Sequence, residues 1–183
     1  MVKKLLVFVL LLFFLIPPVA TFAQTKSFND QYIKIVGNKE LVYPGLLPDS
    51  PLYFLKMIRD RFISFSTQDP ASKVDFDILQ AEKRLNAGIY LFIQGKNNSL
   101  AVSTISKGAN YFNDAINIAE STKKQGENIN GLKRKISESL LKYKYILKNL
   151  KNTKNEQIKK NLQETDNKIT DFEKRTNLLL PSN

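Results

Sequence analysis

Ser139-Leu140-Leu141-Lys142 places a hydroxyl nucleophile and an amine base at the S-x-x-K spacing of penicillin-recognising enzymes. No K-T-G or S-D-N accompanies it, and it falls in the middle of an apolar helical seam. The match is read as coincidence. The chain has no Cys and no His, which removes thiol chemistry, a His base, structural zinc and haem held by the usual ligands. No Gly-rich phosphate loop is present. The acids stand mostly near helix starts or beside Lys, where capping and solvation account for them, and nothing marks a facing carboxylate pair. No catalytic residue, metal site or cofactor is expected, and the chain is read as a non-enzyme.

The chemistry that remains is charge. Lys142, Lys144, Lys148 and Lys151 crowd one stretch and are the candidate contacts for an anionic surface, either a membrane or an envelope polymer. An evenly solvated helix explains the same lysines. "KYKYILKNLKNTK" interleaves aromatics with Lys as nucleic-acid binders do, but Tyr143 belongs to the seam and the lysines spread round the remaining circumference. Nucleic acid is not an expected partner. Of the +11 formal charge, residues 24–120 hold 11 basic against 10 acidic side chains, and residues 121–183 hold 15 against 7. The excess therefore lies in the last third.

These residues need a scaffold. The chain of 183 residues suits one domain. Lys3 and Lys4 precede an unbroken apolar run, Leu5 to Ile16, then Pro17-Pro18 and small residues at Thr21 and Ala23. This predicts a signal peptide over 1–23, cut after Ala23 to leave Gln24 first; a retained N-terminal membrane anchor is the alternative. Residues 24–42 show no clear period and read as a flexible arm.

Residues 43–178 read as an all-α domain, an antiparallel bundle of about five helices, one short and four long, with 179–183 as a tail. Pro44-Gly45 suits a type II turn. Ser50 is the expected cap and Pro51 the first position of a short helix over 51–65, with Leu52, Leu55, Ile58, Phe62 and Phe65 at spacings of three and four. Asp69-Pro70 starts a second helix that Gly95 closes. Ser99 opens a third, which Gly126 ends. The fourth covers 128–151. A capping box from Thr153 to Glu156 starts the fifth; without it the last two would merge into one rod. Leu141 and Tyr145 lie opposite the fourth helix's seam, as a second apolar stripe. Gly88 and Gly108 inside helices predict close helix approach.

The stretch "YPGLLPDSPLYFLK", with "DPASK" and "AEKRL" downstream, resembles an uncharacterised bacterial family, a domain of unknown function. Its pattern runs L-P-G-x-x-P-x-S-P-x-Y-x-L-K, then D-P-x-x-K, then A-E-x-R-L. The matching positions are Pro44, Gly45, Pro48, Ser50, Pro51, Tyr53, Leu55 and Lys56, then Asp69, Pro70 and Lys73, then Ala81, Glu82, Arg84 and Leu85, within 43–95. Tyr43 departs from the pattern's Leu. The resemblance implies an exported or membrane-tethered helical protein and carries over no catalytic residue. The expectation is thus an exported binding or structural module of the bacterial cell envelope, facing an envelope protein or an anionic polymer or membrane. The alternatives are a cell-wall-acting enzyme and an exported helical chaperone or stress sensor. The motif segment is expected to be a clamp, with Tyr53, Phe54 and Leu55 packed on the second helix and over the Pro44–Pro48 turn.

Overall fold

The computed structural model describes residues 21–152 and 155–179, with side chains from Ser27 onward. The expected signal segment's apolar run lies outside the described residues. Six helices are described: α1 (Thr21–Val36), α2 (Tyr53–Ser66), α3 (Pro70–Gln94), α4 (Asn98–Lys124), α5 (Asn130–Leu150) and α6 (Glu156–Leu178). The chain is all-α, packed as a bundle.

The helix starts follow the capping chemistry. Asp69 accepts the Ser72 N–H at 2.8 Å and Pro70 takes the first turn of α3. Gly95 closes α3 at φ 67°, a left-handed conformation that costs Gly little. Asn97, rather than Ser99, caps α4 by accepting the Leu100 N–H at 2.9 Å. Asn155 caps α6 by accepting from the Ile158 N–H at 3.1 Å, so α5 and α6 are separate helices. Thr153, the expected cap, lies outside the described residues.

The seams read from spacing form the core. Leu85, Ile105, Phe112, Ile116, Ile136, Leu140, Tyr143, Leu162 and Ile169 are all buried. Phe112 and Tyr143 meet edge to face, with centroids 5.5 Å apart. The Tyr143 hydroxyl donates to the Ile105 carbonyl, which satisfies a buried polar group. Two of the helical glycines, Gly88 and Gly108, mark close helix approaches. A Cβ on Gly88 would stand 2.3 Å from Ile105 Cγ1, and one on Gly108 would stand 2.8 Å from the Tyr143 hydroxyl.

Two expectations are corrected. Residues 24–42 are not a loose arm throughout, because α1 occupies most of them and supplies the sixth helix. Phe28, Tyr32, Ile35 and Val36 recur at helical spacing; Ile35 and Val36 are buried, and Phe28 and Tyr32 meet Tyr90 edge to face. Asn86 joins three segments there, accepting from the Tyr32 hydroxyl and donating to the Val42 carbonyl, both at 2.9 Å. Asn149 donates to the Ile35 carbonyl at 2.8 Å from the other side. Leu179, expected to begin a tail, is also buried.

The second correction concerns α2. The helix exists, starting at Tyr53 instead of 51, yet none of its residues is buried. The apolar spacing that identified it does not face the core.

Candidate functional site

The motif residues build a bracket for α2. Gly45 takes φ 69°, which turns the loop so that the Lys56 ammonium reaches back to it. Lys56 donates to the Pro44 carbonyl at 2.6 Å and lies 5.5 Å from the Tyr53 ring centroid. Burial pushes its pKa below the usual lysine value. Pro48 and Ser50 sit in the turn that leads to the helix. The Ser50 carbonyl accepts the Tyr53 N–H at 3.0 Å, and its hydroxyl accepts only a long 3.4 Å bond from the Leu52 N–H. Ser50 is therefore a turn residue rather than the helix cap, and Pro51 precedes the helix. At the other end, Lys73 donates to Ser64 at the end of α2 and to Asp77 Oδ1 at 3.2 Å.

The remaining motif residues serve the bundle. Ala81 and Leu85 are core. Glu82 is buried and accepts from the Ser139 hydroxyl at 3.0 Å and from Lys142 at 2.7 Å, tying α3 to α5. The Arg84 guanidinium lies over Tyr111, 5.5 Å from the ring centroid. Tyr53 is half-buried near Arg84 and Tyr111, and desolvation raises its phenol pKa. Phe54 and Leu55 are each 52% exposed. The expected aromatic clamp is thus largely a lysine clamp, because backbone carbonyls at Pro44 and Leu46 offer Lys56 a better anchor than that turn offers a ring.

The consequence is an inverted helix. Tyr53, Lys56, Asp60 and Ser64, at spacings of three and four, are its half-buried positions. Phe62 and Phe65 point away from the bundle, at 71% and 84% exposure, while Phe54, Leu55 and Ile58 continue the stripe along the rims of the two clefts beside the helix, more than half exposed. A side chain of this kind gains ~1.5–3 kcal/mol when fully buried, so the five, each more than half exposed, leave about 5–10 kcal/mol of burial unused. Scattered exposed apolar residues are ordinary; five on one stripe of a short helix are not.

Charge surrounds the stripe. Asp60, the one acid on α2, is turned inward with its side chain 12% exposed and pairs with Arg59 at 2.7 Å. Arg61 is exposed and has no ion-pair partner among the described residues. One flank of α2 opens as a cleft of about 390 Å³ carrying Lys56, Arg59 and Lys83. The other is a cleft of about 500 Å³ between Met57, Ile58, Arg61 and the α3–α4 pair at Phe76 and Tyr111. Among the described residues no cluster of three or more acids could hold a metal ion.

The lysines singled out on α5 are largely engaged. Lys142 pairs with Glu82 at 2.7 Å, Lys144 with Glu173, and Lys151 with Asp166 at 2.7 Å. Lys148 is exposed, with no ion-pair partner among the described residues. Three of the four thus bind helix to helix, which spacing within one helix could not reveal. Arg175 does the same between α6 and α4, donating to Asn113 at 2.7 Å, Asn117 at 2.8 Å and Glu120 at 2.9 Å. Leu141 stays exposed, while Tyr145 leans against Gly37. Asp77 is 1% exposed, with Oδ2 unpartnered. Burial, against the pull of Lys73, raises its pKa to about 6.

The class these features define is an all-α bundle with an exposed apolar helix flanked by basic side chains. The chain belongs to the family described as a domain of unknown function, DUF5667, whose model matches residues 45–177. That span begins at the clamped turn and runs through α2 to the end region of α6. No curated protein and no solved structure matches the chain significantly.

Proposed function

We propose that this chain is a non-enzymatic binding module exported to the bacterial cell envelope, with α2 as its binding element. The observation that carries the reading is the inversion of α2: Lys56 ties its polar face to the turn before it and Lys73 ties it to α3, while its apolar face stays uncovered. The clefts beside it are open and rich in cations, with no converging carboxylates, which favours binding over hydrolytic chemistry. The Leu5–Ile16 run preceding the bundle supports export. No described helix is long and apolar enough to cross a membrane.

Fractionation of cells making the tagged full chain tests this. The protein should be found with the envelope and be degraded by protease added to cells whose outer surface is opened. A protein confined to the cytosol overturns the reading. The exposed apolar stripe also favours a second reading, an exported helical chaperone. Suppression of aggregation of unfolded clients, lost in Phe62→Ser/Phe65→Ser, would select it.

A further inference from the structure

We infer that the occupant of α2's outer face is an anionic lipid bilayer, on which α2 lies as an interfacial helix. The inference rests on α2 being the binding element and names its partner. Interfacial helices carry an apolar face flanked by Lys and Arg, with the axis in the plane of the membrane. On α2 the stripe of Phe54, Leu55, Ile58, Phe62 and Phe65 has Arg61 on one side and Arg59 on the other, roughly 70–90° from its midline at 100° per residue. Both are exposed. Arginines so placed can lay their stems along the acyl boundary and keep their charges at the headgroups. The one acid of the helix is turned inward and paired with Arg59, so α2 itself shows no free carboxylate on this face.

The usual interfacial helix turns its polar face to water. Here the preceding turn and α3 take that face, through Lys56 and Ser64, so the helix is held in place before any lipid arrives. The cleft bearing Lys56, Arg59 and Lys83 opens beside the stripe, where lipid phosphates would lie. A second copy fits less well. A twofold contact through this stripe would bring the unpaired Arg61 of each copy to the seam, with no exposed acid of α2 to answer it. The apolar Leu5–Ile16 run, with Lys3 and Lys4 at its start, supplies no acid either.

The chain contains no Trp, so Phe65→Trp makes a single reporter at a position 84% exposed, where the core is untouched. The full-length variant is mixed with vesicles of phosphatidylcholine, with or without phosphatidylglycerol, some carrying brominated acyl chains. The indole emission should shift to the blue and be quenched by the brominated chains on the phosphatidylglycerol vesicles, and much less on neutral ones. Arg61→Ala in that background should weaken the partitioning about five-fold, the effect of one cation near an anionic surface. Leu141→Ser, an exposed site on α5, should leave it unchanged. The readout is local, so attachment through Leu5–Ile16 alone gives no quenching. Absent quenching overturns the inference, as does equal quenching on neutral vesicles or a blue shift that grows with protein concentration without lipid. The envelope reading stands or falls separately, on fractionation.

Discussion

Lys56 Nζ donates to the Pro44 carbonyl oxygen at 2.6 Å across twelve residues of sequence, and this bond fixes the angle at which α2 leaves the bundle. A hydrogen bond to a charged group contributes ~1.5–3 kcal/mol. Because α2 buries no residue of its own, little else opposes its release.

Lys56→Met should therefore loosen α2 alone. Amide exchange across 41–66 should speed by about ten-fold or more, while α3 to α6 keep their protection, since local openings need not involve the global fold. Hydrogen exchange read by mass spectrometry checks it. Equal acceleration throughout the bundle would show that the clamp supports the whole domain instead.

The Glu82–Lys142 pair, at 2.7 Å, joins α3 to α5 where Ser139 also donates to Glu82. Glu82→Gln should cost about 1–3 kcal/mol, because a mostly buried cluster loses its charge-assisted bonds. Lys148→Ala should stay within about 0.5 kcal/mol, as surface changes do. Urea unfolding separates the two, and a double-mutant cycle with Lys142→Met should show coupling.

Asp77 makes the fold pH-dependent. Its folded pKa, about 6, lies above the ordinary 3.8, so between these values the folded chain binds more protons than the unfolded one. Stability should fall as pH rises from about 4 to 6 and level off above, by roughly 2–3 kcal/mol at most. Lys73 opposes the shift, and Asp114, whose own pKa burial also raises, adds to it. Asp77→Asn should remove most of this slope. Urea midpoints of both proteins across the window test it; wild type gaining on the variant as pH rises would contradict it.

What sequence could reveal here was periodic. The seams of α3 to α6 lay in unbroken spacings of three and four, and Asp69-Pro70 and Gly95 punctuated α3 as their chemistry requires. Helix α1 was hidden because Phe28, Tyr32 and Ile35 are diluted by polar neighbours and no cap announces it. Spacing found α2 but not its direction. Apolar periodicity reports that a face is apolar, while the facing of α2 depends on Lys56 and Lys73 finding oxygens at distant positions. The same blindness applied to Lys142, Lys144 and Lys151, whose acidic partners stand on other helices. The DUF5667 pattern was legible as residues, yet its division into a bracket for α2 and a strut at Glu82 needed the packing.

The central claim is that α2 turns its apolar stripe outward, and the absence of native Cys allows a direct measurement. Single cysteines at Phe62, Phe65 and Ser64 are reacted with a maleimide under native conditions, without lipid or partner. Phe62→Cys and Phe65→Cys should react nearly as fast as in the denatured chain, and Ser64→Cys, half-buried toward α3, should react several-fold more slowly when rates are compared at equal thiolate fraction. Fast labelling at 64 with protection at 62 and 65 would mean that the stripe packs inward, and the binding element proposed here would not exist.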